Sequence, residues 1–205
     1  MTDIAVIALS LGLEKNHMMQ DYQSNRPVRQ QPPGRFPNES DRTVERIRKR
    51  KKKQKIRKGA CGMYYTIEGR IRYSEIDHHR TITLPGIINY FQDCSTFQSE
   101  DIGYGVERFQ TEGKAWVLSY WQVVVERYPK IGERVKVSTW ATSFKGILAE
   151  RNFQMVDESG QAVAYANSVW TFMDKQKGRP VKPGQDEIDA YGMEAPLEMH
   201  YEPRK

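Results

Sequence analysis

Apolar positions recur with two different periods along this chain, and most apolar residues lie after Met63. Alternation with a period of two predicts strands over residues 64–73, 114–128, 134–144, 148–156 and 161–174. Helical spacing predicts one long helix, whose stripe comprises Leu84, Ile87, Ile88, Phe91, Ser95 and Gln98. Thr83 is placed to cap the first turn of this helix, Pro85 is tolerated inside that turn, and residues 101–105 contain the stop signal.

The order of elements predicts an α+β domain over residues 63–178. One strand and one long helix precede four or more antiparallel strands. Because the helix must bury its stripe, the sheet is expected to wrap around it. The strand over residues 114–128 is apolar on both faces, which favours a central position and a second copy or partner packed beside it.

The first 62 residues have a different composition and are expected to form a disordered, basic N-terminal extension. Residues 14–41 are polar, contain four prolines and show neither period, which predicts disorder. Residues 42–58 carry eleven Lys/Arg against one Glu, a local charge of +10 within a total of +6. The basic pI therefore describes a short arm, and a surface-wide nucleic-acid footprint is not supported. A solvated arm is the favoured interpretation, with RNA, anionic lipid or an acidic protein as alternative partners.

A second hypothesis concerns the origin of this extension. Residues 58–60 (KGA) can be encoded by a purine-rich stretch resembling a ribosome-binding site, placed just before the Met63 codon. Residues 1–62 would then be an artefact of start-site assignment. A native product with an intact Met1 would contradict that hypothesis.

Residues 179–205 lose periodicity and carry many charges and prolines. They are interpreted as a linker toward a further repeat, with a short helical turn over residues 186–191. Cys61 and Cys94 lack metal-ligand spacing, and Cys94 falls within the helix as a small buried group. A reducing cytoplasm is the expected location, no apolar run is long enough to span a bilayer, and no motif indicates a metal or cofactor.

Asp77 is the candidate for chemistry. It lies a few residues before the predicted helix, where free backbone N–H groups could polarise a carbonyl oxygen. A carboxylate there could act as a nucleophile or general base on a carbonyl group. Capping of the turn or helix is the alternative role, since acidic residues do this routinely.

Residues 63 to about 203 resemble the N-terminal half of the acyl-acyl carrier protein (acyl-ACP) thioesterases. The stretches that carry the resemblance are IRYSEID, TLPGIINYFQDCSTFQSEDIG, WVLSYWQVVVERYPKIGERVKVSTW and SVWTFMDKQKGRPVKP. The resemblance implies a hot-dog fold and an enzyme of fatty acid synthesis that hydrolyses acyl-ACP to free fatty acid. It implies the acyl carrier protein as partner and pairing of hot-dog units as the mode of oligomerisation.

The resemblance has a limit in this chain. Members of that family carry two hot-dog repeats, and their catalytic Asp/Asn/His set lies in the second, which is expected to begin where this sequence ends. The N-terminal repeat chiefly shapes the acyl pocket, so Trp116, Tyr120 and Trp121 are the candidate substrate-binding residues, with core packing as their alternative role. Asp77 matches the position of the catalytic carboxylate in single-repeat hot-dog thioesterases.

Three other interpretations stay open. One is a self-sufficient single-repeat acyl-CoA thioesterase that dimerises and uses Asp77. The second is a non-catalytic module that binds acyl chains or carrier protein. The third and weakest is a nucleic-acid binder acting through residues 46–58. Acyl chain length and the choice between ACP and coenzyme A do not follow from the sequence.

Overall fold

The computed structural model describes residues 3–8 and 64–203. They form three α-helices, a one-turn 3-10 helix at Tyr73–Glu75 and seven strands. The helices are α1 (Leu84–Asp101), α2 (Val106–Glu112) and α3 (Gln185–Tyr191). The strands are β1 (Asp3–Ala8), β2 (Tyr65–Arg70), β3 (Lys114–Val125), β4 (Arg134–Lys145), β5 (Leu148–Asp157), β6 (Ala162–Asp174) and β7 (Arg179–Pro180).

Helix α1 begins and ends where the sequence predicts. The Thr83 hydroxyl accepts a hydrogen bond from the Gly86 amide at 3.2 Å, and Pro85 occupies the first turn, where its missing N–H costs nothing. The buried stripe consists of Gly86, Ile87, Tyr90, Phe91, Cys94, Ser95 and Gln98. One face of the helix is therefore enclosed by the sheet, as the spacing of apolar residues indicated.

The strands form one antiparallel sheet in the order β1-β3-β6-β5-β4-β2, with β7 added beside β6. It curls around α1 in a hot-dog fold of the α+β class. The helix approaches the sheet closely at Gly69, where an added Cβ would lie 2.6 Å from a ring carbon of Tyr90. The glycine leaves room for Tyr90, whose hydroxyl donates to the Arg70 carbonyl at 3.1 Å.

Strand β1 corrects one expectation from the sequence. Residues 1–62 were expected to be disordered, but Asp3–Ala8 pairs antiparallel with Tyr120–Val125 of β3. A short run rich in β-branched and small apolar residues thus extends the sheet along an edge that would otherwise expose unpaired backbone groups. The basic arm over residues 42–58, the remainder of the extension and the proposed start at Met63 lie outside the described residues.

The main core lies between the concave face of the sheet and α1. Phe91 of the helix contacts Trp121 and Phe153 of the sheet, with ring centroids 6.0 and 5.2 Å apart, and Trp121 and Phe153 lie 4.9 Å from each other. Cys94 is fully buried beside them, and burial raises the pKa of its thiol to about 12. That thiol is a packing group, as the sequence suggested.

Residues 192–203 cross the opposite, outer face of the sheet, and we call this segment the strap. It is held by amide side chains that the sheet places in one row, because Gln122 pairs with Asn167 and Asn167 with Asn152 in register. Gln122 donates to the His200 carbonyl at 2.7 Å and accepts from the Glu202 amide at 2.9 Å. The sequence predicted the helical turn of α3 but not this ordered crossing.

Candidate functional site

A cavity of about 250 Å³ continues the concave face beyond the core. Its floor comes from β3, β4, β5 and β6, and its roof from the C-terminal end of α1 together with α2 and α3. Most floor residues share the concave face because each strand alternates. The strand residues that line the cavity are Lys114, Ala115, Trp116, Ala141, Phe144, Ala149, Glu150, Arg151, Trp170 and Phe172.

Aromatic rings form a cluster in the cavity wall. The ring of Trp116 lies 4.8 Å from that of Phe172 and 5.7 Å from that of Phe144, and Phe144 lies 6.4 Å from Tyr191 of α3. Such a surface binds an aliphatic chain by burial of apolar area and offers few hydrogen bonds.

Two buried charged residues of the described chain line this cavity from different elements. Glu187 of α3 is 6% exposed and accepts a hydrogen bond from the Trp116 indole N–H at 2.9 Å. Burial raises the pKa of Glu187 above its ordinary value, although this hydrogen bond opposes the shift. The second group is Arg151 of β5, which is 7% exposed and donates to the Gln98 side-chain oxygen at 2.7 Å.

The three predicted substrate-binding aromatics lie in different places. Trp116 lines the cavity. Trp121 is 2% exposed in the core against α1, and its indole N–H has no hydrogen-bond partner among the described residues. Tyr120 is buried on the outer face of the sheet, on the same side as Gln122. Only Trp116 of the three is in direct contact with the cavity in the described part of the chain.

Asp77 lies at the other end of α1. From the helix N-cap at Thr83, the cavity-lining residues Ser95 and Ser99 are about 18 and 24 Å along the axis, at 1.5 Å per residue. The carboxylate oxygen Oδ1 of Asp77 accepts from the His79 amide at 2.9 Å and from the amide and hydroxyl of Thr81 at 3.2 Å each. The cavity and the predicted carboxylate are therefore separate sites.

The hydrogen bonds to Asp77 set its ionisation. Partial burial acts to raise the pKa of Asp77, but the bonds from Thr81 and His79 outweigh it and hold the pKa below its ordinary value. The same bonds fix a tight loop in which Arg80 adopts a left-handed φ of 64°, a conformation uncommon for a residue with a side chain. Asp77 is thus a half-buried ionised carboxylate that closes the loop before α1.

The part of this chain that forms the cavity is also the part that matches known proteins. Residues 62–191, more than half of it, match the profile of the acyl-ACP thioesterase N-terminal domain. This chain belongs to the acyl-ACP thioesterase family. The oleoyl-acyl carrier protein thioesterase 1 of Arabidopsis thaliana is 25% identical over 144 residues, which cover 67% of this chain and 40% of that relative.

Two further proteins match a similar part of this chain. The acyl-[acyl-carrier-protein] hydrolase FATB3 of Cuphea viscosissima is 30% identical over 125 residues, covering 58% of this chain and 30% of that protein. The crystal structure of an oleoyl thioesterase from Lactobacillus plantarum superposes with a TM-score of 0.63 and 28% identity, over 69% of this chain and 55% of that one. The chain thus spans between about a third and about half of these relatives.

Sequence reasoning missed the polar residues of the cavity, although one signal for Arg151 was present. In β5 the residues Ala149, Arg151, Phe153 and Met155 alternate with outward-facing positions, so Arg151 stands inside an apolar series that faces the helix. Glu187 gave no such signal, because its burial depends on α3 folding back over β3. Within residues 3–8 and 64–203, no helix is both long and apolar enough to cross a bilayer, and no acidic, His or Cys cluster is arranged to hold a metal.

Proposed function

We propose that this domain supplies the acyl-binding cavity of an acyl-ACP thioesterase, which hydrolyses acyl-ACP to free fatty acid and carrier protein. The observation that carries the proposal is the aromatic-walled cavity that continues the core on the concave face. An acyl chain in this cavity would exchange water for Trp116, Phe144 and Phe172. Each methylene buried in this way contributes about 0.8 kcal/mol.

The family supports the identity of the substrate. The relatives that this chain matches are named as hydrolases of acyl-ACP, and the match includes β3 to β6, which form the cavity floor. We place the enzyme in the cytoplasm. We also expect hot-dog units to pair, because β3 is apolar on both faces and is paired with β1 along only part of its length. A photoreactive acyl chain delivered on ACP tests the proposal through the residues that it labels.

A second candidate is hydrolysis by this chain alone through Asp77. The observation in its favour is the ionised carboxylate held in a fixed loop six residues before the N-cap of α1 at Thr83. If Asp77 acts on the thioester carbon, the acyl chain alone would have to extend the 18–24 Å along α1 to reach the cavity. The same chemistry on an acyl-CoA substrate would make the protein a single-repeat thioesterase.

The Asp77→Asn variant separates the two candidates. If Asp77 is the nucleophile or base, the substitution lowers the rate at which the purified chain hydrolyses acyl-ACP by a factor of about 100 or more. The reason is that an amide can neither accept the proton nor attack the thioester carbon. Asparagine keeps Oδ1 as an acceptor for His79 and Thr81, so the variant should fold like the wild type. A check that it is folded is the control for this experiment. Hydrolysis at the wild-type rate in Asp77→Asn would exclude this role.

A further inference from the structure

Arg151 is a buried cation without a counter-ion in the described part of the chain. The residue is 7% exposed, and the one side-chain hydrogen bond that it makes within residues 64–203 joins Nη1 to the neutral amide oxygen of Gln98. The guanidinium carbon also lies 5.2 Å from the centroid of the Tyr191 ring. Neither contact neutralises the charge, and burial of an uncompensated charge is costly.

The remaining donors of Arg151 are available to a ligand. A guanidinium has five N–H groups, and only one nitrogen is engaged by a side chain within residues 64–203. Within the described residues, no further hydrogen bond or ion pair of the guanidinium accompanies the one to Gln98. Because Arg151 lines the cavity and is only 7% exposed, the cavity is where a ligand could meet these donors.

The position of Arg151 defines one end of the cavity. It pairs in register with Ala141 and Ser168, and the next residue of β5 on the same face is Phe153 of the core. Glu187, the other buried charged residue of the cavity, accepts from Trp116, which pairs with Phe172 further along the sheet. The guanidinium therefore stands where the cavity meets the core.

We propose that Arg151 forms a carboxylate-binding subsite at this inner end of the cavity. A carboxylate matches the planar fork of a guanidinium and supplies the charge that the protein does not. The inference rests on the proposed acyl-binding function and narrows its ligand to a chain that carries a carboxylate. That carboxylate is either the far end of an acyl chain or the head group of a free fatty acid.

Binding to the full-length chain, measured by calorimetry, tests the subsite with three probes. The first is a neutral compound, octanoyl-pantetheine with an amide in place of the thioester. The second is the same compound with a carboxylate at the far end of the chain, and the third is octanoate. We expect Arg151→Met to weaken at least one carboxylate probe by about 10- to 100-fold and to leave the neutral probe unchanged.

The pattern across the probes identifies the source of the carboxylate. Selective weakening of the second probe assigns it to the acyl chain, and weakening of octanoate alone assigns it to the free fatty acid. Equal affinities of wild type and Arg151→Met for both carboxylates would overturn the subsite, while binding of the neutral probe would still support the acyl cavity. Failure of all three probes to bind wild type would overturn both proposals.

A second variant guards against loss of folding in Arg151→Met. Gln98→Glu keeps the shape of the side chain and gives Arg151 an internal carboxylate at the position of its present 2.7 Å contact. We expect this variant to fold, to bind the neutral probe and to lose the same 10- to 100-fold in carboxylate affinity. Unchanged carboxylate binding by a folded Gln98→Glu would contradict the proposal.

Discussion

Replacing Ala149 with phenylalanine should reduce the affinity for octanoyl-ACP by about 100-fold and leave the affinity for unacylated ACP unchanged. Ala149 lies on the cavity floor and pairs with Trp170 on one side and Phe144 on the other. A ring at this position would occupy the space of about four methylenes. At about 0.8 kcal/mol each, their loss from the apolar site costs roughly 3 kcal/mol, or about two orders of magnitude in affinity.

The matched control for this change is Lys136→Phe. Lys136 is exposed on β4 and forms a solvent-accessible ion pair with Glu68 at 3.2 Å, which contributes little to stability. This variant adds the same ring away from the cavity and should bind octanoyl-ACP like wild type. Titration of both variants with acylated and unacylated ACP provides the measurement. Wild-type affinity of Ala149→Phe for octanoyl-ACP would show that the chain lies elsewhere.

Replacing Asn152 with alanine should lower the free energy of unfolding by about 2–4 kcal/mol and release the strap. Asn152 is fully buried, donates to the Asn167 side-chain oxygen at 3.1 Å and accepts from the Leu197 amide at 2.9 Å. Alanine leaves both partners without this bond, and each unsatisfied buried group costs about 1–3 kcal/mol. The hydroxyl of Tyr201 also loses its 3.3 Å contact with Asn152.

Urea unfolding and limited proteolysis measure the two effects of Asn152→Ala. The control is Ser138→Ala, which removes a 2.8 Å hydrogen bond to Thr66 at an exposed site and should change stability by less than about 0.5 kcal/mol. Cleavage within residues 192–203 should become faster only in Asn152→Ala. If the two variants unfold at the same urea concentration and cleave at the same rate, the amide row does not hold the strap.

The strands and the central helix were predictable because their signals are local. Alternation placed β4, β5 and β6 within about one residue of their observed ends, and Thr83 marked the start of α1 through its side-chain oxygen. The family resemblance was also confirmed, since it rested on stretches within the matched region. Local chemistry was sufficient for these features.

Other elements depend on contacts between distant parts of the chain. Helix α2 is a seven-residue segment that follows Gly105 and ends at Gly113, where φ is 69°, and it is too short to show a period. Strand β1 and the strap are fixed by β3, Gln122 and Asn152, which lie far away in sequence. No local pattern in residues 3–8 or 192–203 predicted those partners.

The candidate site shows the same division. Trp116 was predicted from the family resemblance and lines the cavity. The register change of β3 between Leu118 and Tyr120 places Tyr120 on the outer face, whereas Trp121 shares the concave face with Trp116 but lies in the core against α1. Such a bulge changes which residues share a face, and the alternation alone does not locate it. The catalytic role of Asp77 stays a prediction, now with a defined loop and hydrogen-bond set.

The most direct measurement is where the acyl chain lies. Octanoyl-ACP with a diazirine at the far end of the chain would be photolysed with the full-length protein, and the labelled peptides would be identified by mass spectrometry. We predict adducts in the peptides that contain Phe144, Arg151 or Trp170, and their loss in Ala149→Phe or with excess unlabelled octanoyl-ACP. Competable labelling confined to the outer face around Trp140 and Tyr201, or to the loop at Asp77, would contradict the acyl-binding cavity.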